Sequence, residues 1–147
     1  MFVFLTAGLC GDITPSSYNA ASLIELLHSA SLIHDDVVDE SYERRGFFSI
    51  NALWKSKVSV LLGDYLLAKG LLLSVKEKEH ELLRLVSDAV REMSEGELMQ
   101  MQKSRKLNIT KEEYFEIIRK KTAALIAACT ACGAWSACQD NELTGKF

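Results

Sequence analysis

The sequence predicts an all-α fold, and three observations predict it. The 147 residues contain one proline, Pro15, and 8 glycines, so little in the chain forces a helix to stop. Apolar residues recur at intervals of three and four through most of its length. Helix-start signals stand at Thr14-Pro15 and at Thr110-Lys-Glu-Glu113, the latter a capping box.

Length fits one domain over residues 1–147, long enough to bury a core. With 48% apolar and 25% charged residues and a net charge of −3, the composition is that of a soluble globular protein. Mild acidity offers no basic face for nucleic acid, so no nucleic-acid partner is expected.

The opening, Met1 to Cys10, is apolar but has no cationic n-region, which makes it a poor signal peptide. It reads as the interior of a helix whose beginning is missing. Thr14 is the expected N-cap of the next helix, with Pro15 at its first position and its end near Asp39. Leu23, Ile24, Leu27, Leu32 and Ile33 cover most of that helix's circumference, the mark of a central, buried helix.

It ends in Asp35-Asp36-Val37-Val38-Asp39-Glu40, four carboxylates in six residues. Asp35 and Asp39 are one turn apart, and His28 falls two turns earlier at about the same angle. Neighbouring carboxylates near a helix C-terminus repel each other and oppose the macrodipole, unless a divalent cation compensates them. A solvated surface cluster is the alternative. The next loop carries Arg44, Arg45 and Gly46. Their guanidinium groups suit phosphate oxygens, or else form salt bridges to Glu40 or Glu43.

A third helix is expected from about Asn51 to Lys76, with a break near Lys55 to Lys57. In it Gly63 and Gly70 share one face for close packing, and Asp64 reads as a satisfied structural acid. A fourth spans about Glu77 to Lys106. Its inward stripe of Val86, Ala89 or Val90 and Met93 continues onto Glu97 and Gln100, polar groups where core is expected. A helix end emerging into solvent is the other reading.

The last long helix follows Thr110 with a stripe of Phe115, Ile118, Thr122, Leu125, Ile126 and Cys129. Lys121 beside it either meets an anion inside a bundle or snorkels outward. The uncharged run Thr122 to Cys138 is short for a membrane span, so no transmembrane segment is expected. Cys129 and Cys132 form a CxxC without a second ligand pair, and all four cysteines read as small core residues in a reducing, cytoplasmic compartment.

Together these residues resemble the trans-isoprenyl diphosphate synthases, the polyprenyl synthetase family. Asp35-Asp36-Val37-Val38-Asp39 matches its first aspartate-rich motif, and Arg44-Arg45-Gly46 matches the arginine pair that follows. Gly63-Asp64, Gly96-Glu97-Leu98-Met99-Gln100 and Lys121-Thr122 match later motifs in order and spacing. The resemblance implies an all-α helical bundle of the isoprenoid synthase type around a cavity, incomplete here, and a homodimer.

It implies that Asp35 and Asp39 ligate Mg²⁺ bridging to an allylic prenyl diphosphate, which Arg44, Lys121 and Thr122 also hold. His28 and Arg45 would contact isopentenyl diphosphate. Asp36, Glu97 and Gln100 are carried over in support, Asp36 beside the reacting groups and Gln100 beside substrate. The reaction implied is head-to-tail condensation of the two diphosphates. Small residues at Ala30 and Ser31, five and four before Asp35, leave the cavity floor open and imply a product of twenty carbons or more.

The chain departs from the family in two places. Neither a second aspartate-rich motif after Lys121-Thr122 nor a basic Gly-Lys-x-x-Arg segment before the first helix occurs within it. It is therefore read as a fragment of little activity by itself. A class I terpene cyclase and a non-catalytic helical subunit of a prenyl synthase are the rival readings.

Overall fold

The computed structural model describes residues 1–147 except Tyr42, Arg45, Leu107 and Asn108, and without the side chains of Arg44, Lys55, Arg105 and Lys106. The described elements are α1 (Phe2–Cys10), α2 (Pro15–Val38), a β1–β2 ladder (Glu43–Arg44 and Phe47–Phe48), α3 (Ile50–Lys76), α4 (His80–Lys106), α5 (Lys111–Ile118), a π turn (Arg119–Ala123), α6 (Ala124–Cys138) and α7 (Asn141–Thr144). The fold is all-α, as the sequence predicts. Its described residues form two compact units, Met1–Ala21 with Glu79–Phe147, and Ser22–Lys78.

In the first unit α1 lies against α6. A Cβ on Gly133 would stand 2.4 Å from the Val3 carbonyl oxygen, so only glycine permits this approach. The start of α2 joins the same core. Thr14 Oγ1 is 3.4 Å from the Ser17 amide, and Ser17 Oγ accepts from the Thr14 amide at 3.1 Å. Thr14 Oγ1 also donates to the Ser136 carbonyl at 2.9 Å, and the hydroxyls of Ser17 and Ser136 are 2.8 Å apart. Buried hydroxyls that satisfy one another avoid the cost of desolvation.

Cys132 is fully buried here, and burial, aided by Cys129, pushes its thiol up to about 12. Leu82, Val86 and Ala89 form the buried face of α4, but Gly96, not Glu97 or Gln100, takes the next core position. Glu97 is half-buried beside it and Gln100 is exposed. The stripe expected on the last helix also differs. Phe115, Ile118, Thr122 and Ile126 are exposed, while Ile117, Ala128 and Cys132 face the core. Apolar residues surround α6 on every side, so pattern alone does not mark its inward face. The helix runs on without a break from Lys111 to Cys138, but the π turn inside it changes its register.

In the second unit α2 packs on α3 through the two glycines. A Cβ on Gly70 would meet Leu27 Cδ2 at 3.2 Å, and one on Gly63 would meet His34 Nε2 at 2.3 Å. The partners Leu27 and His34 are seven residues apart, matching the glycines, so one face of each helix makes the seam. The helix α3 is continuous through Lys55–Lys57, where a break was expected. Ser49 caps it, accepting from the Ala52 amide at 3.1 Å. Lys78, at φ 58°, ends the connection from α3, so α4 begins at His80 rather than Glu77.

By length and composition Ser56–Lys76, within the third helix, is apolar enough to cross a membrane, although no transmembrane segment is expected from the sequence. Its glycine face against α2 makes it a packed helix of the unit. Its other side leaves Trp54, Val58, Leu61, Tyr65 and Leu72 exposed at helical spacing.

Candidate functional site

The acidic end of α2 is closed by a Schellman arrangement. The Ser41 amide donates to the Asp36 carbonyl at 2.9 Å and the Glu40 amide to the Val37 carbonyl at 3.3 Å. Glu40 takes the left-handed position at φ 49°, which glycine usually fills. This makes Asp39 the cap residue rather than part of the helix. Its amide still donates to the Asp35 carbonyl at 2.8 Å, so the two acids stand one turn apart as the spacing predicted.

The three aspartates differ in surroundings. Asp39 is exposed, Asp35 is half-buried and Asp36 is buried at 6% exposure. Asn51 at the start of α3 donates to the Asp36 carbonyl at 3.4 Å, and Ser49 Oγ donates to the Ser41 carbonyl at 2.6 Å. The sequence reading missed both supports, whose signal is a pair of small polar residues at a helix start. Asp36 also lines an apolar groove of about 450 Å³ with Leu32, Ile33, Phe47 and Phe48.

Arg44 lies in β1, paired with Phe47, and its side chain is outside the described residues, as is all of Arg45. His28 is half-buried, and among the described residues its Nδ1 is buried without a hydrogen-bond partner. Ala30 is buried and Ser31 half-buried. The exposed Asp64 carboxylate, read from the sequence as a satisfied structural acid, lies 3.4 Å from His34 Nε2. His34 Nε2 is also 3.3 Å from the Val60 carbonyl.

The other candidate residues meet in the first unit, at the π turn. Three consecutive cations there each meet an acid of α4. Arg119 Nη1 is 2.8 Å from Glu92 Oε2, Lys120 pairs with Glu95, and Lys121 Nζ is 2.5 Å from Glu97 Oε2. Lys121 Nζ also donates to Gln100 Oε1 at 3.1 Å. Lys120 holds the Glu95 carboxyl below its usual range, first through the hydrogen bond and then through charge. Gly96 makes this closeness possible, because a Cβ there would lie 2.8 Å from Lys120 Cβ. Thr122 is exposed, and with Lys121 and Gln100 it lines a cavity of about 420 Å³ walled by Ile109, Tyr114 and Ile117.

Among the described residues no three histidine, cysteine or acid side chains form a metal-holding group. The donors that fit a divalent cation are the carboxylates of Asp35 and Asp39, hard oxygen ligands one turn apart.

The sequence pattern of the polyprenyl synthetase family matches residues 1–146. The chain is 40% identical over 134 residues to the short chain isoprenyl diphosphate synthase of Methanothermobacter thermautotrophicus, covering 88% of this chain and 41% of that protein. It is 36% identical over 146 residues to the octaprenyl diphosphate synthase of Escherichia coli, covering 99% of this chain and 45% of that protein.

Among solved structures it is similar to a polyprenyl synthase from Caulobacter crescentus complexed with calcium and isoprenyl diphosphate. The TM-score is 0.90 at 37% identity, over 98% of this chain and 44% of that one. The chain thus spans less than half the length of the curated relatives it matches. From Met1 to Lys146 it belongs to the polyprenyl synthetase family.

Proposed function

We propose that the protein carrying this chain is a prenyltransferase that joins isopentenyl diphosphate head-to-tail to an allylic prenyl diphosphate. The observation that carries this reading is the end of α2, where Asp35 and Asp39 stand one turn apart with a buried Asp36 between them. Negative charge gathered at a helix C-terminus is unfavourable by itself and becomes favourable beside a divalent cation. Asp35 and Asp39 would hold Mg²⁺, whose charge, when bound, stabilises the diphosphate as it leaves.

The reaction breaks the allylic C–O bond, with its electron pair leaving on the diphosphate. The isopentenyl double bond then forms the new C–C bond, and the resulting cation gives a proton to the released diphosphate to restore an alkene. Lys121 and Thr122 would hold the allylic diphosphate and stabilise charge that grows in the transition state. Arg44 would share that diphosphate, while His28 and Arg45 would bind isopentenyl diphosphate. The buried Nδ1 of His28, without a hydrogen-bond partner among the described residues, supports a role in binding a ligand.

Small side chains at Ala30 and Ser31 favour a product of twenty carbons or more. The exposed apolar seam of α3 supports a homodimer, and Cys10, Cys132 and Cys138 as thiols fit a cytoplasmic enzyme.

A radiolabelled condensation assay with Mg²⁺ tests the reading. Asp35→Ala and Asp39→Ala are each expected to lower turnover about a hundredfold or more while the helical content stays unchanged. Turnover within threefold of the parent in both variants would overturn it, as would cyclic hydrocarbon products.

A further inference from the structure

Of the three cations in the π turn, Lys121 is the one that α4 holds both through an acid and through a neutral acceptor. Arg119 and Lys120 already tie α4 to the turn through Glu92 and Glu95, so the two elements are fastened without Glu97. Glu97 therefore has a local effect to explain. An ammonium carries three N–H donors. Glu97 Oε2 at 2.5 Å and Gln100 Oε1 at 3.1 Å take two of them. Among the described residues the third is left for a ligand in the cavity that Gln100, Lys121 and Thr122 line.

We infer that Glu97 is a positioning residue, pinning the Lys121 ammonium against Gln100 so that its remaining donor is set for a diphosphate oxygen. This rests on the reading of Lys121 as a diphosphate ligand. Two effects compete at such a residue. The carboxylate repels an incoming diphosphate, but a lysine without it must be ordered by the substrate itself, which costs affinity. The Glu97 side chain is one-fifth exposed and Lys121 about one-third, so water screens the repulsion only in part. Two acceptors on one ammonium, Glu97 and Gln100, restrict its rotation together, which favours ordering as the larger effect.

Two measurements on the protein carrying this chain test it. The first is trace acetylation of lysines by acetic anhydride, read residue by residue by mass spectrometry. Glu97→Ala is expected to raise the rate at Lys121 at least about threefold and to leave Lys120, held by Glu95, unchanged. Equal rates at Lys121 in parent and variant would overturn the inference whatever the enzyme does.

The second is steady-state kinetics with the allylic diphosphate. Glu97→Ala is expected to raise KM about tenfold with kcat within threefold, whereas Glu97→Gln, which keeps an acceptor, stays near the parent. A lower KM in both variants would mean that repulsion dominates, and would overturn the inference. If acetylation at Lys121 rises while Glu97→Ala and Lys121→Ala both keep the parent KM, the diphosphate reading of Lys121 fails, and the inference with it.

Discussion

Gly63 lies so close under the ring of His34 that a Cβ there would stand 2.3 Å from Nε2. The ring cannot yield without giving up the Val60 carbonyl at 3.3 Å and the Asp64 carboxylate at 3.4 Å. Gly63→Ala is therefore expected to destabilise the protein by about 1 kcal/mol, through displacement of a half-exposed ring from its two polar partners. Thermal unfolding measures this. His34→Ala in the same background should recover part of the loss, and a purely additive double variant would argue against the contact.

The floor argument yields a change in product rather than in stability. Ala30 is buried at 3% exposure, so a phenyl ring there occupies interior space. Ala30→Phe is expected to shorten the main product, with Ser31→Phe as a second route should the first pack badly. Chromatography of the dephosphorylated products reads the length. An unchanged product from both variants would remove Ala30 and Ser31 from the determinants.

The π turn allows a test by deletion. Removing Ala123 would let the segment relax to α geometry and rotate one side of it by about 100° relative to the other. The ion pairs of Arg119, Lys120 and Lys121 with α4 could not then all persist. Weakened pyrophosphate binding by calorimetry, with helical circular dichroism retained, is the expected result. Binding equal to the parent's would show that the turn is dispensable.

Cys132 supplies a pH dependence. Its thiol ionises near the ordinary 9.0 when unfolded and near 12 when buried. The folded state therefore binds the proton more tightly. The stabilisation is complete below about pH 9 and is lost as pH rises toward 12, with a slope of order 1 kcal/mol per pH unit. Denaturant melts of the parent and Cys132→Ala should diverge in slope across that window and run parallel below it. Parallel curves throughout would contradict the burial assigned to this thiol.

The outward seam of α3 leads to a prediction about association. Leu61 and Leu72 are two-thirds exposed and lie three turns apart on one face with Trp54 and Val58. Leu61→Asp with Leu72→Asp is expected to shift sedimentation from dimer to monomer without loss of helix content. A parent that sediments as a monomer at all concentrations would exclude the proposed homodimer.

How much of this was legible beforehand depends on how locally each feature is determined. Thr14-Pro15 and Thr110 to Glu113 start helices where expected, because capping is settled within four residues. The glycine pair on α3 also acted as its spacing implied. The inward face of α6 was read wrongly, since a segment with apolar residues on all sides carries no phase. The π turn has no sequence signature of its own. Its one trace was Gly96, set in the polar run of α4 because a helix backbone passes there at close range. The end of α2 was displaced by one residue, as Glu40 adopts a conformation that an acid seldom takes.

The hydroxyl contact between Ser17 and Ser136 joins positions 119 apart in the chain. At ribosomal rates of 5–20 residues per second, the first of these emerges about 6–24 s before its counterpart exists. During that interval α1 and the start of α2 lack α6, the element they pack against, and apolar residues such as Val3 and Ala7, buried in the fold, are still without their partners. Codon choice across residues 124–138 should therefore govern soluble yield more strongly than equal changes elsewhere.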